Sequence, residues 1–178
     1  SIRTVALVGH GAAGKTTLVE SLLAATGAIT SRGTVEKGNT VCDFDPMEKE
    51  FGYSLQTALV GFKTGAAQVQ LIDTPGYPDF AGQAIAALAG VDTALIVINA
   101  QTGIELSTER MFELAGERGL CRMIVVNKID ADNVNLPELV NAIRERFGKQ
   151  CLLLDLPAHH GQDVVELLGH TDGESDFA

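Results

Sequence analysis

The sequence predicts an α/β fold, a mostly parallel sheet with helices on both faces. Three observations predict it. Short apolar runs alternate with stretches of helical periodicity along most of the chain. The runs at 5–8 (Val-Ala-Leu-Val) and 93–98 (Thr-Ala-Leu-Ile-Val-Ile) are apolar throughout, as in strands buried on both faces. A glycine-rich loop, Gly9 to Gly14, joins the first run directly to a helix. The 178 residues are about one domain in size, and 46% hydrophobic against 20% charged residues is a globular balance.

Each element has its own warrant. The helix over 15–26 places Leu18, Val19, Leu22 and Leu23 on one face, and Gly27 stops it. Residues 28–54 lose periodicity and are expected to be a long irregular segment, with a functional or mobile role. The stretches 55–62 and 68–72 read as a hairpin around Gly65. A helix over about 80–90 is expected to be capped by Asp79, with Phe80, Ile85 and Leu88 inward. The helix over 105–118 presents Leu106, Met111, Leu114 and Ala115, and 122–126 reads as another central strand. The helix over 136–147 carries Leu136, Leu139, Val140, Ile143 and Phe147 on one stripe, with Pro137 in its first turn. A last strand is expected at 151–154, before Pro157.

Composition narrows the function classes. No apolar run approaches the roughly 18 residues of a membrane span, so no membrane partner is expected. A formal net charge of −10 disfavours indiscriminate nucleic-acid binding, and no sequence-specific DNA contact is expected. Cys42, Cys121 and Cys151 are odd in number and widely spaced, which suits a reducing, cytoplasmic setting. His10, His159, His160 and His170 have no partnering cysteine or acidic cluster to make a metal site. Asp172, Glu174 and Asp176 give the chain an acidic tail, expected to be a loop or frayed end.

Three motifs carry the chemistry, and each directly follows a predicted strand. Gly9-His10-Gly11-Ala12-Ala13-Gly14-Lys15-Thr16, continued by Thr17, has the G-x-x-x-x-G-K-[ST] spacing of a phosphate loop. The fold is therefore expected to be that of a P-loop NTPase. Glycines let backbone N–H groups approach phosphate oxygens, and the helix N-terminus adds positive potential. Lys15 reaches the β- and γ-phosphates, and the Thr16 hydroxyl is suited to Mg²⁺. Asp73-Thr74-Pro75-Gly76 supplies an acid for the metal, through water, and a Gly76 N–H that can bond the γ-phosphate only while that phosphate is present. Asn127-Lys128-Ile129-Asp130 fits N-K-x-D: Asp130 can accept from guanine N1–H and its amino group, Asn127 ties the segment to the phosphate loop, and the Lys128 stem covers the base. Adenine offers an acceptor and a C–H there. Sites built to hydrogen-bond a missing group reject the analogue by about 10⁴–10⁵, which selects GTP and GDP over ATP. In such sheets the carboxyl ends of strands share one crevice, where the three motifs are expected to meet.

With those motifs the chain resembles the translational GTPases, elongation factor G in particular. Gly9-His10 with Gly14-Lys15-Thr16-Thr17-Leu18 is similar to the family's G-H-x-x-x-G-K-T-T-L, and residues 73–80 to its D-T-P-G-H-x-D-F. Residues 150–157 resemble the segment entering that factor's insertion subdomain. The resemblance covers residues 1 to about 168. It implies a GTPase acting on the ribosome through a longer parent protein, a GTP-binding domain over 1–150, and over 151–178 the start of an insertion or a last strand with a flexible tail. Four departures stand out. Tyr77 occupies the position of the histidine that orients the attacking water, and its hydroxyl can still hold a water. Ala12 replaces an aspartate. Ser54 takes the Mg²⁺-ligating threonine position, while Phe51 replaces an arginine. The family's S-A loop beneath the guanine, and its later domains, are not in the sequence. A paralogue of the housekeeping factor, present as an excised portion, is the expectation.

The catalytic set that follows is Lys15, Gly76 and Tyr77, with Thr16, Ser54 and Asp73 for the metal. The alternatives are a GTP-dependent binding module with vestigial hydrolysis, and a P-loop ATPase. Asp130→Asn is expected to weaken GTP binding and favour xanthine nucleotides, whose C2 carbonyl accepts from the amide; competition against labelled GTP checks it, and unchanged GTP affinity would remove Asp130 from the base site.

Overall fold

The computed structural model describes residues 1–159 and 163–167. The acidic tail with Asp172, Glu174 and Asp176, and the histidines His160 and His170, lie outside the described residues. The chain forms two compact units, one of residues 1–98 and 105–125, the other of 99–104 and 126 onward.

The first unit is built on a sheet of order β2-β3-β1-β4-β5, with β1 (Ile2–Val8), β2 (Ala58–Thr64), β3 (Ala67–Asp73), β4 (Thr93–Asn99) and β5 (Cys121–Asn127). β1 runs parallel to both β3 and β4, and β2 and β3 form the expected antiparallel hairpin. In register, Leu7 stands opposite Asp73 on one side and Leu95 on the other. The apolar runs of β1 and β4 fill the middle of the sheet, where both faces are covered. Alternate side chains project to opposite faces. Leu7, Leu95 and Val97 therefore join Val19 and Leu23 of α1 (Lys15–Ala25) in one cluster. α3 (Ala81–Ala87) and α4 (Leu106–Glu117) bury Ala84, Ala87, Met111, Phe112 and Ala115.

Several elements differ from expectation, each for a tertiary reason. Residues 28–54 are not irregular throughout: a 3₁₀ turn spans Val35–Lys37 and α2 spans Pro46–Phe51. α2 begins with a reciprocal capping box, in which Asp45 accepts from Met47 N–H at 2.8 Å and Glu48 accepts from Asp45 N–H at 3.1 Å. Glu48 is almost fully buried, and its other oxygen takes the N–H groups of Leu55 and Gln56. Those two residues are thereby withheld from the ladder, and β2 starts at Ala58 instead of 55. Asp79 does not cap a helix, because Pro78 starts a 3₁₀ turn one residue earlier; Phe80 precedes α3 without a side-chain cap. Leu106 is 81% exposed, since the inward face of α4 runs through Thr108, Met111, Phe112 and Ala115 at helical spacing and misses it. β5 is an edge strand, not a central one, and Cys121, Arg122 and Met123 are exposed. The Arg122 guanidinium lies 4.1 Å over the Phe112 ring there.

The second unit contains α5 (Leu136–Phe147), with Asn135 accepting from Glu138 N–H at 3.2 Å and Leu139, Ile143 and Phe147 buried. β6 (Asp155–Ala158) pairs antiparallel with β7 (Asp163–Glu166) in a separate two-stranded sheet. Residues 151–154 are not a strand; Cys151 O accepts from Arg144 Nε and Leu154 O from Leu167 N–H. The strand starts at Asp155, and Pro157 is tolerated within it because both strands of a pair are edges.

One buried acid ties the 33–41 segment to α1. Glu20 is fully buried, and its two oxygens accept the N–H groups of Gly33, at 2.8 Å, and Val41. Glutamine keeps one acceptor and turns an NH₂ group on the other N–H. Glu20→Gln is therefore expected to lower stability by about 1–3 kcal/mol, read as a lower urea midpoint at unchanged slope.

Candidate functional site

The loop from β1 to α1 is shaped by two backbone constraints. Gly9 has φ +136°, and a Cβ there would stand 2.4 Å from the carbonyl oxygen of Val97. Gly14 precedes α1 in the left-handed region at φ +89°. Ala12 also takes positive φ, at +58°, and is exposed. Lys15 is buried, and its ammonium donates to the Gly9 and His10 carbonyls at 3.0 and 2.9 Å. Gly76 lies directly on it: a Cβ at Gly76 would meet Lys15 Nζ, the Gly11 N and the His10 carbonyl carbon within 2.6 Å. His10 is half-buried, with Nε2 3.0 Å from Glu105 Oε2.

At the end of β3, Thr74 donates to the Leu7 carbonyl at 2.6 Å and so fixes the turn that carries Pro75 and Gly76. Thr16 donates to Asp73 Oδ2 at 2.6 Å, and its hydroxyl lies 3.2 Å from that of Ser54. Asp73 is 1% exposed, and its Oδ1 is buried without a hydrogen-bond partner. A buried carboxylate oxygen left open, beside two hydroxyls, is a donor set that suits a hard cation. The structure brings Thr16, Ser54 and Asp73 together, and Thr17 follows Thr16 on α1.

Sequence reading missed the supports of this group. Asp43, 2% exposed, accepts from Ser54 at 2.8 Å and from Thr40 at 2.8 Å. Cys42 is buried nearby, and burial together with the Asp73, Asp43 and Glu20 charges pushes its thiol well up, so it stays protonated. These residues sit in the aperiodic stretch, where no spacing rule singles them out.

Tyr77 is half-buried. Its ring meets Tyr53 edge-on, with centroids 4.7 Å apart, and Tyr53 stacks on Phe51 at 5.8 Å. The His10 ring also approaches it, with centroids 6.2 Å apart.

In the second unit, Asn127 is half-buried at the end of β5, and its carbonyl accepts from Ala100 N–H at 2.9 Å. Lys128 has φ +61°, uncommon for a lysine, and its carbonyl accepts from Ala131 N–H. Lys128 and Asp130 are exposed. His159 faces Asp163 at 3.0 Å on the surface, and among the described residues no group of three or more His, Cys, Asp and Glu is placed to hold a metal.

Burial also shifts the site's charges. It pushes the Asp73 carboxyl up from 3.8 to about 6, opposed by the Thr16 hydroxyl and Lys15 and reinforced by Asp43. It lowers the Lys15 ammonium from 10.5 to about 8, with Asp73 opposing. Between about pH 4 and 6 the folded chain keeps the Asp73 proton that the unfolded chain has lost, so stability falls as pH rises through that window. In EDTA, the unfolding free energy relative to Asp73→Asn is expected to decline across this range and level off above it, as measured by urea titration.

The family profile described as the elongation factor Tu GTP binding domain matches residues 1–172. An elongation factor G-like protein of Mycobacterium tuberculosis is 38% identical over 94% of this chain, and elongation factor G 2 of Streptomyces coelicolor 37% over 88%. The tetracycline resistance protein TetW of Butyrivibrio fibrisolvens is 36% identical over 93%. The chain spans only 23%, 23% and 26% of these three relatives. A crystal structure of a Thermus thermophilus protein superposes with a TM-score of 0.86 at 41% identity, over 92% of this chain and 24% of that one. A bacterial selenocysteine-specific elongation factor gives 0.63 at 26%, over 82% and 22%. The chain belongs to the elongation factor Tu GTP-binding domain family, among relatives of elongation factor G.

Proposed function

We propose that this chain is the Mg²⁺-dependent GTP-binding and GTP-hydrolysing domain of a cytoplasmic elongation factor G-like protein that acts on the ribosome. Residues 1–150 form the nucleotide domain, and 151 onward begins the insertion of a longer parent. The phosphate loop, Gly9 to Thr17, takes the phosphates, with Lys15 on the β- and γ-oxygens. Asn127, Lys128 and Asp130 take the guanine. Thr16 and Ser54 would hold the metal by their hydroxyls, with the Asp73 carboxyl beside them, and the metal would supply positive charge against the phosphates. Gly76 N–H bonds the γ-phosphate, and Tyr77 holds the attacking water.

The observation that carries the reading is the open, buried Asp73 Oδ1 on a carboxylate bonded to Thr16, whose hydroxyl lies 3.2 Å from that of Ser54 and which directly follows Lys15. Such an arrangement is costly to keep unless something occupies it. Turnover is expected to be slow in the chain alone, since a phenol replaces imidazole at 77. That substitution favours one second reading, a GTP-dependent binding module in which hydrolysis is vestigial.

Titration with GTP, GDP and ATP, with and without Mg²⁺, tests the site: micromolar or tighter binding of GTP and GDP that weakens in EDTA, with ATP weaker by about 10⁴ or more, is the expected result. ATP binding comparable to GTP would overturn it. Tyr77→His separates the two functional readings, because a marked rise in single-turnover hydrolysis at unchanged affinity means that chemistry is limited at this position, and no rise favours the binding module.

A further inference from the structure

We propose that Gln83 is a positioning residue: it holds the main chain on either side of Gln56 and so sets where the Ser54 hydroxyl stands against Thr16 for the metal. The inference rests on the metal-binding role proposed above for Ser54. Three observations carry it.

The first is how the amide is used. From α3, Gln83 donates through Nε2 to the Leu55 carbonyl and accepts at Oε1 from the Thr57 N–H, both at 2.8 Å. A carbonyl accepts and a backbone N–H donates, so the two partners fix which way round the amide lies. The pair of bonds copies what a neighbouring strand would offer. An ionised carboxylate of the same size has no donor for the Leu55 carbonyl.

The second is where the bonds fall. Residues 55–57 lie outside the ladder, which begins with Ala58 opposite Asp73. Their backbone groups are taken by side chains instead. Glu48 accepts the N–H groups of Leu55 and Gln56 at 2.9 and 3.0 Å, and Gln83 takes the Leu55 carbonyl and the Thr57 N–H. Glu48 stands on α2, close by in the chain, whereas Gln83 reaches in from α3 and ties this stretch to a separate element.

The third is the residue next door. Leu55 directly follows Ser54, whose hydroxyl donates to Asp43 at 2.8 Å and lies 3.2 Å from that of Thr16. Thr16 in turn donates to Asp73. Each hydroxyl has one proton. With both protons committed to carboxylates, the two oxygens turn lone pairs toward one another, as two ligands of one cation would. Mg²⁺ demands near-ideal geometry at about 2.0–2.1 Å, so a ligand a few tenths of an ångström out of place is a poor one.

Mn²⁺, which suits the same oxygen ligands, is the probe. Its free form is counted by electron paramagnetic resonance in the presence of the chain saturated with a non-hydrolysable GTP analogue. Gln83→Leu removes both bonds and is expected to weaken Mn²⁺ binding by about 3- to 30-fold, the span of one to two ordinary hydrogen bonds. Gln83→Glu keeps the bond from Thr57 but sets an oxygen against the Leu55 carbonyl. It is expected to weaken binding too, and it carries the test should the leucine chain not fold. Wild-type Mn²⁺ affinity in the folded variants overturns the inference, even with a lowered urea midpoint, because a merely structural role moves stability alone. In Ser54→Ala, where there is no hydroxyl to place, either change at Gln83 is expected to cost no further affinity. A second loss as large as in the wild-type chain overturns the route through Ser54. If Ser54→Ala weakens Mn²⁺ binding and the Gln83 variants do not, the inference falls and the metal role of Ser54 stands. If Ser54→Ala binds Mn²⁺ like the wild-type chain, that role falls and the inference with it.

Discussion

The hydrogen bond from Thr16 to Asp73 is the constraint on which the candidate site depends. At 2.6 Å it joins the first turn of the helix after the phosphate loop to the last residue of β3, across 57 residues of chain. A carboxylate with 1% exposure is tolerated only when its charge is answered. Here the answer is divided: Thr16 satisfies one oxygen, the Lys15 charge opposes the desolvation, and the second oxygen is left open. The same burial depresses Lys15, so each charge makes the other tenable in the interior. Leu7 and Asp73 stand side by side in register, and the Thr74 hydroxyl caps the Leu7 carbonyl. The strand pairing therefore delivers the acid to the helix N-terminus before any ligand arrives.

Around this bond the 33–54 segment is attached largely by polar contacts, with Cys42 in the apolar core cluster. Glu20 takes N–H groups of Gly33 and Val41, Asp43 takes the Ser54 and Thr40 hydroxyls, and Glu48 takes the N–H groups of Leu55 and Gln56. Meanwhile Val41, Phe44, Met47 and Phe51 are about half exposed. Hydrogen bonds to buried acids hold a segment in one geometry with little apolar burial behind them. At about 1.5–3 kcal/mol each for charged partners, these bonds together fix where the segment lies against the sheet.

What the sequence made legible follows from where the information is local. The phosphate loop, β4 and α5 were readable because spacing, continuous apolarity and a 3.6-residue stripe each need only neighbouring residues; α5 was placed at its observed limits. Asp79, Leu106 and β5 were misjudged because their outcome depends on other elements: a proline one residue upstream, the face that α4 turns inward, and the strand order that leaves β5 at an edge. The Thr16, Ser54 and Asp73 group was half legible. Thr16 and Asp73 belong to spaced motifs, and Ser54 came from resemblance alone, whereas Asp43 and Glu20 are recognised as supports only when the fold buries them beside their partners.

The departures around the phosphate loop are better understood together than one at a time. Gly11 leaves room, the Tyr77 ring stands in it, and Tyr53 meets that ring edge-on at 4.7 Å. Ala12, meanwhile, takes a left-handed backbone and exposes only a methyl. An imidazole at 77 would fill less of the space beside Gly11, while a side chain at 11 would shift the phenol from its place there. The positions are therefore coupled by volume: a change at one alters what the other two can hold. Close-packed interiors impose this kind of dependence, since a methyl group displaced by less than an ångström must move a neighbour. The identity of residue 77 is then fixed by the shape of the loop beneath it as much as by the chemistry asked of it.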